Sequence, residues 1–170
     1  GMDLVEELSK VDNEASGRRE CLEHLEIIAE PRQSSVRHRR MLAEVSREYV
    51  ELIRPPYASE PEQDAQLIVR ARRRGVACRL VVDQALLETG RPRWVELCVA
   101  EGIEVRQAAR PSLKLALFDR CRGLVAVADS VITKPGWTSL VFDHPALGEA
   151  AREWFELRWG AAVPVTAADR

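Results

Sequence analysis

Apolar residues recur along this chain at helical and strand spacing in turn. Leu22, Leu25, Ile28 and Ala29 fall three or four apart within an acidic stretch, a one-sided stripe that predicts a surface helix ending at Pro31. The segment PRQSS reads as a break, with Ser34 or Ser35 capping a second helix built on Met41, Leu42 and Val45. YVELIRPP predicts a strand stopped by Pro55 and Pro56. Pro61 then opens a helix through Ala65, Leu67, Ile68 and Ala71 that ends at Gly75. VACRLVVD has the character of a strand buried within a sheet. A helix from about Trp94 to Ala100 stops at Gly102, and IEVRQA follows as a short strand. KLALFD and GLVAVAD, separated by a polar turn that ends at Gly123, predict a β-hairpin. WTSLVFD supplies one more strand, and Pro145 opens a last helix carrying Leu147, Ala150, Ala151, Trp154, Phe155 and Leu157. VPVTAADR reads as a linker or frayed tail. The alternation predicts an α/β sandwich, a mixed sheet flanked by helices, with a helical extension over 1–35, the main domain over 36–165 and a tail over 166–170.

Composition narrows the function. A length of 170 residues fits one domain, and 46% hydrophobic with 31% charged residues is enough apolar material for a sizeable core and too much for general disorder. A net charge of -2 provides no cationic field for a polyanion, which excludes a protein that coats DNA through bulk charge. The one basic cluster, Arg70, Arg72, Arg73 and Arg74, falls in the last turn of the helix before Gly75, where cations oppose the helix dipole. No apolar run is long enough to span a bilayer, and the acidic start GMDLVEELSK is unlike a secretory signal, so a cytoplasmic location without membrane contact is expected. Cys21, Cys78, Cys98 and Cys121 form no Cys-x-x-Cys pair and read as reduced, partly buried thiols. Cys21 and His24 share a helical face, yet no second pair completes a metal site, so neither metal nor cofactor is expected.

The chemistry concentrates in PSLKLALFDR, residues 111–120. Ser112 and Lys114 share one face of a strand by the two-residue period, and the turn that follows carries Asp119. Trp137, just after the turn Lys134-Pro135-Gly136, is the tryptophan placed to line a pocket; Trp94, Trp154 and Trp159 read as core. The spacing Ser-x-Lys-x-x-x-x-Asp resembles the His-x-Lys-x-x-x-x-Asp motif of the phospholipase D superfamily, with Ser112 where the histidine belongs. The order RPPY, RRRGVACRLVVD, AEGIEVRQA, SLKLALFDRCRGLVAVA and FELRWGAAVPV is similar to the phospholipase D-like middle domain of actinobacterial LuxR-type and TrmB-like transcriptional regulators, over 41–165.

That resemblance implies a phospholipase D-like sandwich in which Lys114 holds anionic oxygens and Asp119 supports the site. It also implies a homodimer that brings two copies of Ser112, Lys114 and Asp119 to one cleft, and contact with DNA only through helix-turn-helix modules that this stretch of sequence does not contain. Phospholipase D chemistry needs an imidazole nucleophile and a second imidazole as acid, and a serine without a base replaces neither. The expected function is therefore a non-catalytic sensing or dimerisation domain of a bacterial transcription regulator, binding a small anionic ligand at Ser112, Lys114, Asp119 and Trp137. The rival readings are a phosphodiesterase or nuclease of the same superfamily and a direct DNA binder, whose affinity would depend steeply on salt.

Overall fold

The computed structural model describes residues 4–6, 24–128 and 136–167. Eight strands form one mixed sheet: β1 (Leu25–Ile28), β2 (Glu48–Ile53), β3 (Ala77–Asp83), β4 (Glu104–Ala108), β5 (Lys114–Phe118), β6 (Arg122–Ala128), β7 (Trp137–Asp143) and β8 (Val163–Pro164). Their order across the sheet is β1-β7-β6-β5-β2-β3-β4-β8. β2, β3 and β4 are parallel, while β5 runs antiparallel to β2 and the remaining pairs are antiparallel. Four helices cover the sheet: α1 (Pro31–Glu44), α2 (Pro61–Arg73), α3 (Arg93–Ala100) and α4 (Pro145–Ala161). This is the α/β sandwich with a mixed sheet that the alternation predicts.

The two-residue period of the strands divides the core. Tyr49 and Ile53 of β2, Leu80 and Val82 of β3, and Ala116 and Phe118 of β5 face one way, where Met41, Ile68 and Val95 of the first three helices meet them. Val50, Leu52, Val81, Leu115 and Leu117 face the other way, against Phe155 and Trp159 of α4. Arg79 lies over both of those rings, at 5.1 and 5.2 Å from their centroids, and closes that side with an ion pair to Glu156. The hairpin of β5 and β6 turns at Asp119 and Arg120, both with positive φ.

Three expectations are corrected. The stripe from Leu22 to Ala29 does not make a helix where it is described: Leu25–Ile28 is a strand, paired with Ser139–Phe142. The adjacent β-branched Ile27 and Ile28 fit a pleat, and the open edge of β7 satisfies their backbone better than an isolated surface helix would. The segment PRQSS is not a break. Pro31 occupies the first helical position, where its fixed φ fits and its missing N–H is no loss, so Ser34 and Ser35 sit inside the helix and are buried. Position 35, set as the end of the extension, therefore falls within α1. The start of VPVTAADR is docked: β8 pairs with Arg106 and Gln107, and the Val165 amide donates to the Val105 carbonyl at 2.8 Å.

Candidate functional site

The register across β2, β5 and β6 sets Glu51 opposite Ala116 and Lys114 opposite Ala126 on the face covered by α1 and α2. Two methyl groups leave the sheet floor low between two long side chains, and the helices rise over it without filling it. A cavity of about 80 Å³ opens there, enough for several waters or a small ligand. It lies over the C-terminal half of β2, the strand at which the sheet changes from parallel to antiparallel neighbours, and such switch points are where open α/β sheets bind ligands. Arg54 and Tyr57, from the loop that leaves β2, complete its wall.

Lys114 is the basic group at the centre. Its Nζ stands 4.6 Å from the Trp137 ring centroid and 5.3 Å from that of Tyr57. Among the described residues no carboxylate lies within 4.0 Å of it. Burial, aided by the Arg54 charge and opposed by Glu51 and Asp64, pushes the Lys114 ammonium down to about 8. The indole of Trp137 is held in place from behind: Nε1 donates to Ser139 Oγ at 2.8 Å, and Ser139 Oγ lies 2.6 Å from Ser34 Oγ on α1. The Tyr57 hydroxyl is buried and has no hydrogen-bond partner among the described residues. Burial, then the charges of Asp83 and Glu51, push it up to about 12.

Opposite Lys114 stands an acidic relay. Tyr49 Oη donates to Glu51 Oε2 at 2.7 Å and lies 2.8 Å from His38 Nε2, while His38 Nε2 is 3.9 Å from Glu51 Oε1. Burial raises the Glu51 carboxyl above its ordinary range despite the pull of His38 and the Tyr49 hydrogen bond, so the cavity holds a carboxyl group inclined to keep its proton. Tyr49 is raised well above its ordinary value by burial and by Glu51.

The residues singled out in the sequence thus separate. Lys114 and Trp137 meet in the cavity. Ser112 is exposed outside it and contributes its backbone: the carbonyls of Pro111 and Ser112 accept from Arg54 Nη1 at 3.0 and 3.2 Å. Asp119 follows the far end of β5, five residues from Lys114 and about 16 Å away at strand rise. There its carboxylate accepts from the backbone amides of Ser46, Arg47 and Glu48, so it ties the hairpin to the start of β2 rather than facing the cavity.

Among the cavity residues that sequence reasoning did not assign are Glu51, His38, Arg54, Tyr57 and Asp64. Glu51 carried a signal, as a carboxylate two residues from Tyr49 inside the apolar run YVELI, and RPPY carried Arg54 and Tyr57. His38 carried none, because the sequence places it before the first expected strand, whereas α1 folds it back over β2 and β5 against Phe118. Elsewhere, His144 caps α4 by accepting from the Ala146 amide. Arg74 donates to the Leu42 and Val45 carbonyls at the end of α1, and Arg73 pairs with Glu101, so part of the arginine cluster has intramolecular work. Burial pushes the Cys78 thiol up to about 11 and the Cys98 thiol up to about 12, which makes both poor nucleophiles. Cys21, Lys134 and Pro135 lie outside the described residues. Among the described residues no cluster of His, Cys, Asp and Glu suits a metal ion, and no helix is long and apolar enough to cross a membrane.

No family model and no curated protein matches the sequence. Solved structures match at the level of fold. The archaeal chromatin protein TrmBL2, whose structure shows a novel mode of DNA binding, superposes with a TM-score of 0.70 at 18% identity, over 96% of this chain and 67% of that one. NucT from Helicobacter pylori gives 0.68 at 12% identity, over 83% of this chain and 98% of that one. Nuc from Salmonella typhimurium, a phospholipase D family member, gives 0.64 at 17% identity, over 84% of this chain and 97% of its own. Identities this low carry the fold and nothing finer. With its mixed eight-stranded sheet and the order of its elements, the chain has the phospholipase D-like α/β fold.

Proposed function

We propose that this chain is the non-catalytic sensing domain of a bacterial transcription regulator, a cytoplasmic protein of the LuxR-type or TrmB-like kind, and that it binds a small anionic ligand in the cavity at Lys114. The observation that carries the reading is the cavity itself. It presents one ammonium between two aromatic faces, while Ser112 stands in the motif's histidine position and lies outside the cavity. With the His38 imidazole engaged by Tyr49, the ammonium has no free nucleophile beside it, and such a group holds an anion and does not cleave it. The likeness of fold to a chromatin protein supports the regulatory context. Linkage supplies the mechanism: a ligand that favours one arrangement of two such domains repositions DNA-binding modules joined to them.

Calorimetric titration with phosphate, acetate and lactate tests this on the purified chain and on Lys114→Ala, with light scattering for the expected homodimer. Saturable binding of one or more anions that disappears in Lys114→Ala is expected. Indifference to all three removes the sensor reading. The phosphodiesterase reading has one observation in its favour, the presence of His38 in the same cavity as Lys114. It requires turnover of a chromogenic phosphodiester that is lost in both His38→Ala and Lys114→Ala. No turnover is expected, because His38 Nε2 is engaged with Tyr49.

A further inference from the structure

We propose that the cavity takes a small 2-oxo acid and holds it covalently, as an imine on Lys114, with the ligand carboxylate on Arg54 and with Glu51 as the acid. The inference rests on the sensor reading above and names the class of ligand.

Three placements carry it. First, the chain has three lysines, Lys10, Lys114 and Lys134, against a total of 25 lysines and arginines, and the strand register sets one of the three on the cavity floor. Arginine does not lose its proton in a protein, whereas a partly buried lysine does, so Lys114 brings to this site an amine that can act as a nucleophile. Its ordinary value is lowered to about 8, and no carboxylate among the described residues holds it as a permanent ion pair.

Second, Arg54 is anchored on one side only. Nε donates to the Pro55 carbonyl and Nη1 to the carbonyls of Pro111 and Ser112, while Nη2 has no partner among the described residues. A fixed guanidinium with a spare donor is suited to a carboxylate. Arg54 and Lys114 line the same cavity, and the Ser112 carbonyl that anchors Nη1 lies two residues before Lys114 in the chain. A carboxylate bound there sets the adjacent carbonyl carbon toward the amine, and that adjacency defines a 2-oxo acid.

Third, Glu51 is a diagonal neighbour of Lys114 across β2 and β5, a separation that two long side chains can span. It is the carboxyl group in the cavity that burial inclines to keep its proton, and Tyr49 and His38 form a hydrogen-bonded path behind it.

The step balances without an oxidant or reductant. The neutral Lys114 amine attacks C2 of the ligand, the carbonyl π pair moves to oxygen, and one nitrogen proton transfers to that oxygen to give a carbinolamine. Glu51 then gives its proton to the hydroxyl, the carbon–oxygen bond breaks, water leaves, and the nitrogen lone pair closes the C=N bond. The products are a protonated imine and the Glu51 carboxylate, which neutralise each other. Water returned to C2 reverses each step and releases the ligand.

Borohydride trapping tests the proposal on the full chain. Pyruvate is the probe, lactate is its non-carbonyl counterpart, and Lys114→Arg keeps the positive charge without the nucleophile. Expected is one reduced pyruvate adduct per chain, mapped by peptide mass to Lys114, absent from Lys114→Arg and absent without pyruvate. Calorimetry on the parent chain should show lactate binding as well, reversibly and without an adduct. Adducts spread evenly over Lys10, Lys114 and Lys134, or no adduct at Lys114 while pyruvate and lactate bind alike, overturn the imine and leave the sensor reading standing. Failure of both anions to bind the parent chain, with no adduct, overturns both.

Discussion

Asp119 is a residue whose place in a motif and place in the structure diverge. Its carboxylate collects amide hydrogen bonds from Ser46, Arg47 and Glu48, and its own amide donates to the Glu48 carbonyl at 2.9 Å. Burial works to raise its pKa, but the amides of Glu48, Ser46 and Arg47 and the Ser46 hydroxyl together hold it below the ordinary carboxylate value. A carboxylate lowered on folding adds stability that is complete above its unfolded value, near pH 4, and is lost as pH falls through the lower folded value. Asp119→Asn tolerates the positive φ of this position but offers one acceptor oxygen, so a loss of about 1–3 kcal/mol is expected at pH 7. Urea melts at pH 7 and pH 3 check this, because the gap between variant and parent should narrow as pH falls below about 4; a gap independent of pH assigns Asp119 no role as a charge. Gly148 is a second position fixed by contact. A Cβ there would land on the Arg120 carbonyl oxygen, whereas a Cβ at Gly160 on the same helix meets nothing within 4 Å. Gly148→Ala should lose on the order of 1–3 kcal/mol or more by levering α4 off the hairpin, while Gly160→Ala should gain up to about 1 kcal/mol from helix propensity. Thermal melts of the pair should move in opposite directions.

Elements join this molecule through a few polar pins, and α1 is pinned to β7 by Ser34 and Ser139. Ser139 also receives the Trp137 indole N–H, so Ser139→Ala leaves both a buried hydroxyl and an indole N–H without their partner, whereas Ser34→Ala leaves Ser139 still bonded to the indole. Ser139→Ala should therefore cost more than Ser34→Ala, by about 1–3 kcal/mol, and should shift Trp137 fluorescence where Ser34→Ala does not. Equal costs would mean that the indole bond contributes nothing. Much of this level was legible in the sequence. The hairpin of β5 and β6, the helices opened by Pro61 and Pro145, and β3 follow from periods and from proline and glycine placed where their dihedrals fit. What was illegible depended on distant partners. The four-residue stripe at Leu22–Ala29 suits a helix as well as a strand until the edge of β7 is known to be open to Leu25–Ile28, and the serines of PRQSS read as turn residues until Ser139 is known to face them. The candidate site divided in the same way. Lys114 and Trp137 stood out by type and position, whereas Glu51 and His38 became site residues only when β2 and α1 closed over the same two alanines.

On the scale of the whole molecule, two apolar clusters share one sheet, and neither exists without the strands that also face the other. In β3, Leu80 and Val82 face the first three helices while the intervening Val81 faces α4, so loss of either helical layer exposes alternate residues of the same strand. The domain should therefore unfold as one cooperative unit. Phe155 and Leu80 are both fully buried, on opposite faces, and touch different helices. Phe155→Ala should lose about 3–5 kcal/mol and Leu80→Ala about 2–5 kcal/mol. The losses should add in the double variant, since the sites share no partner. At this size each kcal/mol lowers the melting midpoint by about 2–4 °C, so each variant should move it by several degrees. Far-ultraviolet dichroism follows the whole sheet, and near-ultraviolet dichroism follows the buried Trp94 on one face and Trp159 on the other. Coincident transitions by both probes in all four proteins are the expected result. An early transition in Phe155→Ala that removes the Trp159 signal while the sheet persists would instead make α4 a layer that detaches by itself, and the cavity on the opposite face would then be insulated from whatever α4 touches.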